Sequence, residues 1–151
     1  MNIAICGSLA FTYQFAELKQ ELETMGHEVA IPFTSRRILA GELTLEEILS
    51  AKGTGAAANL KAGTDVIRRY YEVVKESDAI LVANYEKKGI PGYIGGNTFL
   101  EMGFAHVLHK PIFLLHPLPD LPYRDEMESM RPIITDRNLK QFEQQIEVET
   151  A

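Results

Sequence analysis

Glu101 is the side chain in this sequence whose surroundings most demand a chemical role. It stands in the run Gly95-Gly96-Asn97-Thr98-Phe99-Leu100-Glu101-Met102-Gly103-Phe104-Ala105. Asn97 or Thr98 is expected to cap a helix over residues 97–108, which places Glu101 about one turn inside. There the helix dipole favours the charged carboxylate. Phe99, Leu100, Met102, Phe104 and Ala105 surround it with apolar side chains, so it is not expected to face open water, and a half-buried carboxylate needs a reason. Glycoside chemistry supplies one: a retaining mechanism uses an ionised carboxylate to attack an anomeric carbon. The plainer alternative is a glutamate that complements the helix dipole on a solvated face. Gly103 and Ala105 are small enough to let another element or a ligand come close.

Other residues could serve such a centre. Tyr13 and Tyr93 could hydrogen-bond the glutamate or stack on a base, or simply edge the core. Arg36 and Arg37 follow the second strand and are placed to meet a phosphate, or form a solvated basic pair. Asn97 could reach a sugar hydroxyl, although capping alone explains it. His106 and His109 fit a helix surface; His116 follows a strand and is not expected to be catalytic. No carboxylate stands at zinc-site spacing from these histidines, so no metal is expected. The loop from Gly89 to Gly96 lacks the Gly-Lys-Ser/Thr ending of a phosphate-binding P-loop. No dinucleotide fingerprint follows the first strand, and no organic cofactor is expected.

The elements that must carry these residues follow from periodicity. Residues 2–6 (NIAIC) form an apolar, β-branched run ended by Gly7-Ser8, a buried strand. Phe11, Phe15, Leu18, Leu22 and Met25 recur at helical spacing, with Gly26 as C-cap. A strand over 28–32 completes β-α-β. Residues 33–64 read as an insertion over one end of the sheet, with a helix over 43–49 capped by Thr44 and Glu47; disorder is the alternative. A helix over 65–76, a central strand over 79–83, a polar loop over 84–96, the helix of Glu101, and a strand over 111–115 follow. A helical patch at 125–130, an edge strand at 132–135 and a last helix from about 138 to 145 close the chain. Strands that alternate with helices and read as unbroken apolar runs predict a parallel sheet of about five strands covered on both faces, a three-layer α/β/α domain over 1–151. Such sheets bind ligands beyond the carboxyl ends of their strands, so the residues after Cys6, Pro32, Ala83 and Leu115 are expected to share one crevice.

The composition narrows the partner. The chain has 151 residues and a net charge of −6, against the basic surface that a nucleic-acid polymer requires. A single nucleotide is still compatible, since backbone N–H groups and one arginine can hold a phosphate. Cys6 is the single cysteine, so no internal disulfide forms. No apolar stretch reaches the ~20 residues of a membrane span, and the start has no leader-like pattern; a cytoplasmic protein is expected.

The segment GNTFLEMGFA, followed by His109-Lys110-Pro111 and the IFLL strand, resembles the nucleoside 2-deoxyribosyltransferase superfamily. Ile5-Cys6-Gly7-Ser8-Leu9 is similar to that family's first strand and Gly-Ser turn, and Ser77-Asp78-Ala79-Ile80-Leu81-Val82 to its approach to the central strand. The likeness runs in order from residue 1 to about 116. It implies a flavodoxin-like fold and cleavage or transfer at the N-glycosidic bond of a (deoxy)nucleoside or its 5′-monophosphate, through a glycosyl intermediate on Glu101. It also implies Gly7, Ser8, Gly95, Gly96 and Asn97 near the sugar or phosphate, Asp78 as structural, and a homodimer or larger homo-oligomer. One departure stands out. Where the family has an aspartate about eight residues before Asp78, this chain has Tyr70. Either Asp65 upstream takes that role, or a tyrosine does, or the acid is absent; Asp65 reads equally well as a plain carboxylate at a helix N-terminus. A nucleotide-sensing module of the same fold is the second reading.

Overall fold

The computed structural model describes residues 1–51 and 65–143. Five parallel strands form one sheet in the order β2-β1-β3-β4-β5: β1 Asn2–Cys6, β2 Glu28–Ala30, β3 Ala79–Val82, β4 Ile112–Leu114 and β5 Ile133–Ile134. β3 is central, and β1 lies beside it, with Ile3 opposite Val29 of β2 on one side and Ala79 of β3 on the other. The chain steps from β1 outward to β2 and then back across to β3, so the switch in strand order lies at the carboxyl ends of β1 and β3. This is the flavodoxin-like order, and helices cover both faces.

The period-two alternation of the strands sorts the core into two clusters. Ile3 and Ile5 of β1, Ala79 and Leu81 of β3, and Phe113 of β4 face helix α1 (Thr12–Thr24), which sends Phe15, Leu18 and Leu22 against them. Leu139 and Phe142 from the far end of the chain join this cluster. The intervening residues Ala4, Cys6, Ile80, Val82, Ile112 and Leu114 face the opposite layer. That layer holds α4 (Val66–Glu76), α5 (Gly96–Val107) and α6 (Arg124–Ser129), through Tyr70, Val74, Met102, Ala105 and Met127.

Two loops are fixed by groups that no other residue type could replace. Asn84, fully buried after β3, donates through Nδ2 to the carbonyls of His116 (2.9 Å) and Pro117 (3.2 Å) and accepts from the His116 N–H (2.9 Å). It thereby ties the carboxyl ends of β3 and β4 together. Gly92 has φ +68°, and a Cβ there would lie 2.4 Å from the Pro117 carbonyl oxygen, so only glycine fits.

The expected insertion begins differently. Residues 33–39 form a helix, α2 (Phe33–Leu39), followed by α3 (Leu45–Ala51), which is the helix expected over 43–49. The remainder of that insertion, 52–64, lies outside the described residues, as does the end of the last expected helix. In its first part the N–H groups of Asn138, Gln141, Phe142 and Glu143 each donate to the carbonyl three residues back. Thr44 does accept from the Glu47 N–H, as a capping residue should. Among the described residues no helix is long and apolar enough to cross a membrane.

Candidate active site

A cavity of about 450 Å³ opens at the carboxyl ends of β1 and β2, between the β2–α2 junction and helices α4 and α5. Its position follows from the topology, next to the switch in strand order. The walls are Val29 to Phe33 from the edge strand and its exit, Val66, Ile67 and Val73 from α4, and Leu100 and Phe104 from α5. Gly7 forms the turn after β1. A Cβ on it would meet the Phe15 ring at 3.0 Å and the Ala83 carbonyl at 3.1 Å, so a side chain there would displace the core helix or the central strand.

Glu101 lines this cavity. Helix α5 starts at Gly96, with Gly95 as an N-cap that makes no side-chain capping bond. Asn97 and Thr98, expected as caps, are instead inside the first turn: Asn97 lines the cavity and Thr98 is buried. Glu101 is therefore the sixth residue of the helix, beyond the turn over which the dipole acts strongly. Its carboxyl has no hydrogen bond or ion pair among the described residues, and it is the only carboxyl among those that line the hollow. The residue keeps a face open to the cavity, yet the surrounding apolar walls dominate. Burial pushes the carboxyl from 4.5 up to about 8. The sequence expectation of an ionised carboxylate held by the dipole is thus corrected: desolvation is the larger effect and favours the protonated carboxyl at neutral pH.

Two groups crowd behind it. Tyr70, buried, lines the cavity and donates its phenol hydrogen to the Ile5 carbonyl of β1. Burial first, then the neighbouring Cys6 and Glu101, raise its pKa well above the ordinary value. Cys6, fully buried, is raised likewise by burial and then by Glu101. Both groups stay neutral, so neither adds a negative charge beside Glu101.

Of the other sequence candidates, Arg36 lines the cavity at its exposed rim, with no partner among the described residues. Asp65 does not line it. Its carboxylate caps α4 by accepting from the Arg68 N–H at 3.1 Å and pairs with the Arg68 guanidinium at 3.2 Å, which corrects its expected place beside Glu101. Ser8 caps the short 3-10 turn Leu9–Phe11 and accepts from Lys87 Nζ at 2.8 Å, off the lining. Tyr13 is 57% exposed and Tyr93 packs on Gly95; neither reaches the cavity. Gly95 and Gly96 shape the start of α5 without lining the hollow. Gly103 has open space where a side chain would be, so its small size serves no close approach within the described residues. Arg37 is turned away towards Glu42, at 3.1 Å. Asp78 accepts from the Asn2 N–H at 2.7 Å, a structural bond between strand ends. No group of side chains among the described residues could hold a metal ion.

Among the lining residues that the sequence did not single out are Lys19, Phe33 and Arg69. The Arg69 guanidinium lies 3.8 Å over the Phe33 ring, a cation–π contact that spans the gap between α4 and the β2–α2 junction. The signal for Arg69 was present, since Val66 and Val73 place it on the inward side of α4. Protein-family models, curated proteins and solved structures were compared with this chain, and none matches.

Proposed function

We propose that this chain cleaves, or transfers across, the N-glycosidic bond of a (deoxy)nucleoside or nucleoside 5′-monophosphate, with Glu101 as nucleophile. The observation that carries this reading is a single unpartnered carboxyl in an apolar, nucleoside-sized cavity at the strand-order switch. Pockets of this volume and lining suit a small organic ligand. Phe33, Ile67, Leu100 and Phe104 offer apolar surface to a base, and Arg36 and Arg69 stand at the rim for an anionic group.

In the first half-reaction a carboxylate oxygen of Glu101 attacks C1′. The C1′–O bond forms as the C1′–N bond breaks, and the base leaves with the electron pair and takes a proton from water. In the second, water or another base attacks C1′, the ester bond breaks and the carboxylate is restored. The attacking form is the ionised one, so ligand binding must favour ionisation through hydrogen bonds to the carboxylate. Tyr70 holds the Ile5 carbonyl and the cavity floor in place. No cofactor enters the scheme. A homodimer or larger assembly belongs to the same reading; Ile67, Leu100 and Val107 are exposed apolar residues on α4 and α5.

The test is incubation with a panel of nucleosides and 5′-monophosphates, following free base by chromatography. Base release that is lost in Glu101→Ala, with a glycosyl adduct on Glu101 detected by mass spectrometry, supports the reading. The second reading is a nucleotide sensor without turnover. It is favoured by the placement of Asp65 off the cavity and by the protonated state of Glu101. Tight binding with no base released, unchanged in Glu101→Gln, would establish it instead.

A further inference from the structure

Beside the cavity lies a second, more open hollow, a groove between α1 and α2 lined by Ala16, Gln20, Arg37 and Ala40 among others. The two hollows are not separate. Lys19, Ile31, Phe33 and Arg36 line both, so the space runs on from the cavity, past Phe33, round the edge strand β2 into the groove. Three cationic side chains from three helices gather at this junction: Lys19 from α1, Arg36 from α2, and Arg69 from α4, the last held flat on the Phe33 ring. Arg36 is unpaired among the described residues, while Lys19 shares its charge with Glu23. In a chain of net charge −6, this places positive charge where the two hollows meet. A single phosphate at the rim would stop at Arg36 and leave the groove beyond it empty.

We infer that the substrate is a nucleoside whose 5′-pyrophosphate bridges to a second group, with the nucleoside in the cavity, the pyrophosphate at the Lys19–Arg36–Arg69 junction and the second group in the α1–α2 groove. This rests on the N-glycosidic reading for the nucleoside end and extends it to a larger substrate class. Arginine is suited to the bridge, since its planar fork pairs two phosphate oxygens at once. Of the groove carboxylates, Glu23 pairs with Lys19, which leaves Arg36 and Arg69 as the main anion contacts, and Glu42 pairs with Arg37; a groove so lined suits a second group that is neutral or polar.

The experiment is calorimetric titration of the full chain, as Glu101→Gln to prevent turnover, with nucleoside, 5′-monophosphate and 5′-diphosphate of each common base at constant ionic strength. For the base that fits, the diphosphate is expected to bind at least about tenfold more tightly than the monophosphate, the effect of one added charge-assisted contact. Arg36→Gln and Arg69→Gln should each erase most of that difference, weakening the diphosphate far more than the nucleoside. Ala40→Trp, which fills the groove, should weaken a pyrophosphate-bridged dinucleotide and spare the simple diphosphate. Equal affinity for mono- and diphosphate, or a dinucleotide insensitive to Ala40→Trp, overturns the inference; base release from a monophosphate would then leave the N-glycosidic reading standing. Inorganic pyrophosphate, added alone in a thermal-shift assay, gives a readout independent of the base. Protection by it that depends on Arg36, with no nucleoside bound at all, would sink both the substrate class and the N-glycosidic reading and leave only an anion site.

Discussion

Replacing Glu101 by glutamine should make the protein more stable, and increasingly so as pH rises. The carboxyl titrates near 4.5 when exposed in the unfolded chain and near 8 in the folded one. A folded-state value that is raised means stability is fully present below pH 4.5 and is lost as pH climbs through 8, because the unfolded chain releases a proton that the native cavity must retain. Each pH unit between these limits costs about 1.4 kcal/mol, so from pH 5 to pH 8 the wild type loses roughly 3.5 kcal/mol through this one group. Water entering the open side of the cavity reduces that to about 2–3 kcal/mol. Glutamine keeps the shape and has no proton to lose. At about 2–4 °C per kcal/mol for a chain of this size, the variant's Tm should exceed the wild type's by about 5–10 °C at pH 8, with a much smaller gap at pH 5. Thermal unfolding followed by circular dichroism at half-unit pH steps measures this, and all other titrating groups cancel in the difference. A gap that stays constant with pH, or a glutamine variant that melts below wild type at pH 8, would show that the cavity does not desolvate this carboxyl and would refute the reasoning.

The remaining expectations concern activity and the loops. If Glu101 attacks as a carboxylate, kcat/KM for base release should rise with pH to a plateau above about 8, since this parameter reports the free enzyme; a profile that falls there would assign the group as an acid. Tyr70→Phe leaves the Ile5 carbonyl unpaired, and denaturant unfolding should register a loss of about 1–2 kcal/mol with little change of shape. Asn84→Ala strips the partners from buried backbone groups of the β4 exit, a loss of about 2–3 kcal/mol in the same assay. Gly92→Ala combines a left-handed backbone with the Pro117 clash, and its destabilisation should exceed about 1–2 kcal/mol.

The sheet was legible because its strands are written as apolar runs: 2–6, 79–83 and 111–115 sit within a residue of β1, β3 and β4, and even the two-residue edge β5 lies inside 132–135. Helix α2 was not legible. Its buried face is made of Thr34, Ser35 and Ile38, two polar residues of three, with the Ser35 hydroxyl meeting that of Thr12 at 2.8 Å. A hydrophobic period therefore never shows. No capping side chain marks its start either, because Pro32 occupies that position without a side-chain bond.

The site was half legible for a related reason. Apolar flanks point Glu101 away from open water, and it lines the cavity. The cost of desolvating the carboxyl is set by the packed walls, which no local run of residues spells out. Asp65 and Asn97 both carry helix-start chemistry. The structure uses Asp65 for that purpose and moves the start of α5 ahead of Asn97, to a glycine whose extended backbone needs no side-chain cap.

The single cysteine gives this molecule a built-in reporter. Cys6 lies sealed behind the cavity floor, and a thiol in that position reacts only through its thiolate and only when reagent can reach it. Alkylation therefore counts openings of the layer formed by α4 and α5 rather than surface chemistry. Any occupant that braces those two helices should slow the labelling clock, so ligands can be ranked on the unmodified wild-type chain before any reaction is known.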